Sequence, residues 1–170
     1  MKSKENLVFL GMMGAGKSSI GSLVAKRLKL NFVDIDLEIE KISKKSINEI
    51  FKLEGEKNFR ELEEKITLKK LKLDSTVISL GGGAFMNKKI RAEILKNCTS
   101  FWLNWNDQVL IDRIKKSKKR PIALNSNKEE LIELIKKRSY IYSKAQYEIK
   151  CDNLSKNEIA DEILKIYETN

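Results

Sequence analysis

Residues 11–18 read Gly-Met-Met-Gly-Ala-Gly-Lys-Ser and follow directly on the apolar run Leu7-Val8-Phe9-Leu10. A strand, a glycine-rich turn, Lys-Ser and then a helix-forming stretch restrict the fold more than any other feature of the chain. A polyphosphate needs many N–H donors at close range, and only backbone without β-carbons can wrap it; Gly11, Gly14 and Gly16 permit that approach. A helix opening at Lys17 aims its positive dipole end at the phosphates. Lys17 would reach the β- and γ-phosphates and the Ser18 hydroxyl would take a magnesium position, with Ala15 and Ser19 completing the nucleotide-contacting stretch. The plainer alternative is a glycine-containing turn at a helix start, and the strand before it and helix after it weigh against that.

Strand-like runs fall at 6–10, 32–34, 76–80, 99–103 and 147–150, with helical periodicity at about 17–29, 36–73, 86–96, 107–116, 128–145 and 156–168. Gly55 divides the long stretch 36–73 into two or three helices, and Ser46-Ile-Asn-Glu49 and Ser155-Lys-Asn-Glu158 match capping boxes. Alternating strands and helices predict an α/β fold, a three-layer αβα arrangement around a five-stranded parallel sheet. Ligands in such sheets bind at the carboxyl ends of the strands, near the topological switch point. The length of 170 residues predicts a single domain over 1–170. The segment 115–127 contains the one proline and little periodicity, and reads as a mobile loop.

Composition narrows the chemistry. The chain has no histidine, which excludes a Ser-His-Asp triad or a His-ligated zinc and leaves carboxylates, Lys, Arg, metal or backbone to act. No run approaches the roughly 18 apolar residues of a membrane span, and the sequence enters a strand within a few residues of Met1, so neither membrane contact nor a leader is expected. Two distant cysteines, Cys98 and Cys151, read as reduced thiols in a cytoplasmic setting. The net charge of +10 is carried mostly by lysines interleaved with glutamates, the pattern of solvated helix faces. Only six of the 34 basic residues are arginines: Arg27, Arg60, Arg91, Arg113, Arg120 and Arg138. A chain that supplies generic charge with Lys tends to keep Arg where a rigid bidentate fork is needed for carboxylate or phosphate.

Other positions carry chemistry. Asp34 and Asp36 close the second strand run and, in extended chain, point to one side at the edge where the glycine-rich turn opens. One carboxylate would steady magnesium and the other would accept a proton from an attacking hydroxyl, unless Asp36 merely caps the following helix. Gly81-Gly82-Gly83 expose backbone N–H groups at the end of the third strand, whose only polar neighbour, Ser79, makes Asp34 the better magnesium candidate. Arg60, three and four residues before Glu63 and Glu64, is either one end of a surface ion pair or an anchored clamp for an acidic substrate, oriented by Glu63; Arg138 has the same two readings. Arg120 sits in the basic loop beside Pro121, positioned to close over a nucleotide or simply to be solvated.

Assembled, these elements resemble the shikimate kinase family over nearly the whole length. They are Gly-Met-Met-Gly-Ala-Gly-Lys-Ser (11–18), Phe-Val-Asp-Ile-Asp (32–36), the 47–64 run ending Phe-Arg…Glu-Glu, Leu-Gly-Gly-Gly (80–83), Arg-Pro-Ile (120–122) and Arg-Ser-Tyr-Ile-Tyr (138–142). The resemblance implies a P-loop fold like that of nucleoside monophosphate kinases and transfer of the ATP γ-phosphoryl group to the 3-hydroxyl of shikimate. It further implies substrate-binding helices at about 36–62 and a lid loop at about 114–127. Position by position, Asp36, Phe51, Phe59, Arg60, Gly81, Gly82, Gly83 and Arg138 would hold the acid, Arg60 and Arg138 on its carboxylate. Ser18 and Asp34 would hold Mg2+, Arg113 and Arg120 would serve ATP, and Lys17, Asp36 and Arg120 would act in catalysis. The implied partners are shikimate and ATP, with no nucleic acid and no membrane, for a cytoplasmic monomer. Ser19 stands where the family commonly has Thr, Ile122 where Leu is usual, and Ser139-Tyr140 where Ala-Pro is frequent, so the helix at Arg138 is expected to start or bend differently. Rivals are a P-loop kinase for gluconate or a nucleotide, a GTPase-type regulator and a nucleic-acid binder. The GTPase reading needs Asn-Lys-x-Asp, and the nearest run, Asn127-Lys128-Glu129-Glu130, fails at its last position.

Overall fold

Every residue of β1 (Asn6–Leu10) is buried, which a strand attains only when both faces of its sheet are covered. The computed structural model, which describes residues 5–116 and 126–169, places β1 at the centre of a five-stranded sheet ordered β2-β3-β1-β4-β5. β1 pairs in parallel with β3 (Thr76–Ser79) and β4 (Cys98–Asn104), while β2 (Asn31–Asp34) and β5 (Tyr147–Lys150) form the edges. The parallel register stacks Phe9, Phe101 and Tyr147 across β1, β4 and β5, with ring centroids 5.6 and 5.4 Å apart. After β1 the chain first builds β2 and β3 on one side and only then crosses to β4 on the other. The loops following β1, β3 and β4 therefore open together at the switch point, where such sheets hold their ligands. The αβα architecture expected from the alternating pattern is the one observed.

The helices among the described residues are α1 (Lys17–Leu28), α2 (Ile35–Ser43), α3 (Ile47–Lys70), α4 (Lys88–Asn97), α5 (Asp107–Lys116), α6 (Lys128–Tyr142) and α7 (Lys156–Thr169). A short 3-10 turn spans Ala84–Met86. The stretch read as two or three helices is three pieces: α2 stops at a left-handed Lys44, and α3 kinks at Gly55 (φ 81°, ψ 167°). Asp34, Ser46, Asn87 and Asn127 cap α2, α3, α4 and α6, those at Ser46 and Asn127 as full capping boxes. Ser155 and Glu158 make the same reciprocal bonds at the start of α7. α1 alone of these begins on a residue with no side-chain cap and no acid in its first turn: Gly16, at φ 84°, a conformation only glycine adopts cheaply.

One local expectation is corrected. The cap of α2 is Asp34, not Asp36, because the chain turns helical at Ile35; the two aspartates do not share an extended strand. α6 runs unbroken through Arg138, Ser139 and Tyr140, with no proline there to remove an N–H from the ladder. Arg120, Pro121 and Ile122, and most of the loop 114–127, lie outside the described residues. Cys98 and Cys151 are buried, and burial pushes both thiols up to about 12, so they are unreactive packing groups. Among the described residues no helix is long and apolar enough to cross a membrane.

Candidate active site

The loop 11–16 has carbonyls held by side chains from outside it and by one N–H of its own. Lys17, only 6% exposed, donates through Nζ to Gly11 O and Met12 O, both at 2.9 Å. Arg113 Nη1 donates to Gly14 O at 3.3 Å, Trp105 Nε1 to Ala15 O at 2.9 Å, and Ala15 N to Met12 O at 3.1 Å. Because a peptide's C=O and N–H point oppositely, a loop whose carbonyls are held from outside presents N–H groups to its concave side, the arrangement an anion needs. On the adjoining first turn of α1, Ser18 and Ser19 are exposed, and Ser18 Oγ donates to Asp34 Oδ2. Asp34 Oδ1 meanwhile accepts from Leu37 N at 3.2 Å. One carboxylate thus ties the start of α1 to the start of α2.

Across from this loop lies the glycine run that follows β3, and its missing side chains measure how closely the rest of the site approaches. A β-carbon on Gly81 would stand 2.7 Å from both Asp36 Oδ1 and Glu63 Oε1. On Gly82 it would meet Met13 N at 3.2 Å and Arg138 Nη1 at 3.5 Å, and on Gly83 it would strike Arg60 Nη1 at 2.5 Å. Two guanidiniums and two carboxylates from three helices therefore converge on Gly81–Gly83, against the backbone of the phosphate loop.

Arg60 pairs with an exposed carboxylate, Nη2 to Glu56 Oε1 at 3.4 Å, and also with a buried one. Its Nη1 donates to Glu63 Oε2 at 2.7 Å, and Glu63 is 2% exposed. Burial pushes the Glu63 carboxyl above the ordinary carboxylate range and Asp36 adds to that, while Arg60 and Arg138 pull it back. Glu64, the other candidate partner, instead accepts from Asn87 and Lys89 and ties α3 to α4. Arg60 also lies over the Phe59 ring at 5.1 Å, and Phe59 packs on Phe51 with centroids 4.6 Å apart, forming an apolar wall beside the charged groups. Arg138, 6% exposed, directs Nη1 at Met12 Sδ (3.9 Å). One turn on, Tyr142 OH donates to Gly82 O and lies 4.0 Å from the same sulfur. Burial pushes the Tyr142 phenol up to about 12, keeping it a donor at physiological pH.

The structure brings together Lys17, Ser18, Asp34, Asp36, Arg60, Gly81, Gly82, Gly83 and Arg138, with Phe51 and Phe59 beside them and Arg113 on the outer side of the phosphate loop. Arg120 falls outside the described residues. Sequence reasoning passed over Trp105, and gave Tyr142 and Met12 no role of their own, whereas Glu63 as the carboxylate orienting Arg60 was one of its two readings. Two signals were available: an aromatic among polar loop residues (Asn104-Trp105-Asn106), and Tyr142 four residues after Arg138, on the same helix face.

A hard divalent cation suits the oxygens at the mouth of α1. Ser18 Oγ and Asp34 Oδ2 already meet there, and among the described residues no group of three or more His, Cys, Asp or Glu side chains stands together. One carboxylate, one hydroxyl and a ligand's own phosphates are the donor set Mg2+ commonly accepts.

Comparison with known proteins agrees with this geometry. The family model described as shikimate kinase matches residues 13–168. A shikimate kinase of Rhizobium leguminosarum bv. trifolii is 40% identical over 161 residues, covering 94% of this chain and 82% of its own length. The solved shikimate kinase of Acinetobacter baumannii, in complex with shikimate, superimposes with a TM-score of 0.92 at 29% identity, over 98% of this chain and 94% of that one. A deoxyadenosine kinase of M. mycoides, 17% identical with a TM-score of 0.60 over 96% of this chain and 98% of its own, shares the fold alone.

Proposed function

This chain belongs to the shikimate kinase family, and from that premise we propose that it transfers the γ-phosphoryl group of ATP to the 3-hydroxyl of shikimate, giving shikimate 3-phosphate and ADP. The observation that carries the reading is the convergence of Arg60 and Arg138 on Gly82–Gly83, directly against the backbone of the phosphate loop. An acid gripped there brings its hydroxyls beside the nucleotide's terminal phosphate.

Phosphoryl transfer asks a protein for alignment and charge neutralisation more than for covalent chemistry. In this reading the loop N–H groups and the α1 terminus hold the β- and γ-phosphates, and Lys17 neutralises charge on them. Arg60, braced by Glu63, and Arg138 pin the shikimate carboxylate, with the Phe51–Phe59 wall against the ring. The 3-hydroxyl oxygen forms a bond to the γ-phosphorus as the bond to the β-bridging oxygen breaks, and Asp36 takes the hydroxyl proton. Ser18 and Asp34 would hold Mg2+, which when bound offsets charge on the β- and γ-phosphate oxygens. Arg120 would serve ATP. The enzyme would act as a cytoplasmic monomer on small molecules, as one domain.

An assay of ADP release, run with and without Mg2+ on shikimate, gluconate and nucleoside monophosphates, tests this. Shikimate-dependent, Mg2+-dependent ADP release is expected; faster turnover of gluconate or a nucleotide would replace the assignment with that substrate.

A further inference from the structure

The carbonyls of a phosphate loop face away from the ligand, and what holds them decides how well ordered the N–H cradle is before anything binds. On the inner half of the loop that task falls to Lys17. On the outer half it falls to two side chains from the β4–α5 region: Trp105 Nε1 on Ala15 O at 2.9 Å, and Arg113 Nη1 on Gly14 O at 3.3 Å. These two are not independent. The Arg113 guanidinium carbon stands 3.9 Å from the centroid of the Trp105 ring, well inside the range where a cation is attracted to an aromatic face. Arg113 is itself exposed and would otherwise sample many rotamers.

Core packing does not account for Trp105 by itself. One side of the indole lies on the hydrophobic core, but it also borders an open hollow of about 420 Å³ whose other walls are polar: Asn104, Asn106, Asp107, Lys150 and Asp152. A residue needed only to fill space there has no use for an N–H aimed at a loop carbonyl or for a ring face under a guanidinium.

We propose that Trp105 is a positioning residue for the nucleotide: its N–H fixes the outer half of the phosphate loop at Ala15, and its ring face holds Arg113 at Gly14, so that both are ordered before ATP arrives. Ordering ahead of binding removes an entropic cost from association, and the gain appears in affinity rather than in the chemical step. The inference rests on the phosphate loop binding ATP as proposed above, but not on which alcohol accepts the phosphoryl group.

The test is calorimetric titration of ATP into the wild-type chain, Trp105→Phe, Trp105→Leu, Arg113→Met and Trp105→Leu/Arg113→Met, with steady-state KM values for both substrates. Losing the hydrogen bond and the stack together in Trp105→Leu should weaken ATP about tenfold, and Trp105→Phe, which keeps a ring face, about threefold. In the Trp105→Leu background Arg113→Met should cost less than about twofold more, because the arginine is already loose. The KM for shikimate and kcat should stay within about twofold of wild type in both single Trp105 variants. Unchanged ATP affinity in Trp105→Leu, fully multiplicative losses in the double variant, or parallel loss of both KM values would each overturn the proposal. Because titration needs no acceptor, a wild type that binds ATP but leaves shikimate unphosphorylated defeats only the proposed function. A wild type that binds no ATP defeats both.

Discussion

The two halves of the site are made of different material. The half proposed for the nucleotide is backbone from one contiguous stretch, residues 11–18, with its carbonyls held by Lys17, Trp105 and Arg113. The half proposed for the acid is side chains from α2, α3 and α6 brought against three glycines. A backbone site tolerates change in whatever surrounds it as long as the loop keeps its shape. A side-chain site fails at single atoms. Substitutions should therefore separate the halves, and the exceptions should lie where they touch.

The sharpest separation is expected at the reacting atoms. Asp36→Asn should lower kcat by about 10² to 10⁴-fold, the span of a lost general base, with ATP affinity little changed. Near-normal turnover would remove Asp36 from that role. Next come the forks. Arg60→Lys or Arg138→Lys keeps the charge but loses the bidentate geometry, and should raise the KM for shikimate about 10 to 100-fold while the KM for ATP holds. An unaltered shikimate KM contradicts the clamp.

The glycines sharpen the comparison further. A β-carbon on Gly83 meets first the end of the Arg60 side chain, at 2.5 Å. Gly83→Ala should displace the guanidinium and raise the shikimate KM about tenfold, roughly one charge-assisted hydrogen bond, leaving ATP alone. On Gly82 it meets the Met13 backbone at 3.2 Å as well as Arg138 at 3.5 Å. Gly82→Ala should thus raise both KM values, each by about threefold, as befits one lost hydrogen bond. If Gly82→Ala moved only one of them, the halves would not meet at that residue.

The smallest effect belongs to the frame of the acid half. Glu38 accepts from Lys70, which ties α2 to α3 at 2.5 Å and holds the Glu38 carboxyl below its ordinary value of 4.5. A carboxyl depressed in the folded state adds stability above its unfolded pKa and loses it as pH falls through the folded value. Denaturant melts of wild type and Lys70→Met should therefore differ by about 0.5 kcal/mol near pH 7 and converge as acid protonates Glu38 in the folded state. A constant difference across that range would mean that the lysine acts by packing.

Much of this was legible in the chain, for reasons that differ by region. The phosphate loop needs glycine where a β-carbon cannot stand and Lys-Ser where a helix opens, and such demands act over a few residues. The caps at Ser46 and Ser155 are local in the same sense, three residues from donor to acceptor. Glu63 as the brace of Arg60 was one of two readings the chain left open. Its spacing from Arg60 suits a solvated helix pair equally well, and only the approach of Gly81 and the walls around it make it a buried brace. Asp34 rather than Asp36 caps α2 because the helix begins at Ile35, one residue before its periodicity suggested.

By itself, then, the sequence determined the phosphate loop, the order of strands and helices, and the family. Each is set by backbone conformation and hydrophobic period within a short window. Only the tertiary structure decided that α3 and α6 face the same three glycines, that Tyr142 and Arg138 meet Met12, and that Trp105 reaches around to Ala15. Those contacts join residues about 60 to 130 positions apart. They exist because β1 lies between β3 and β4, an arrangement that no short stretch of the chain encodes.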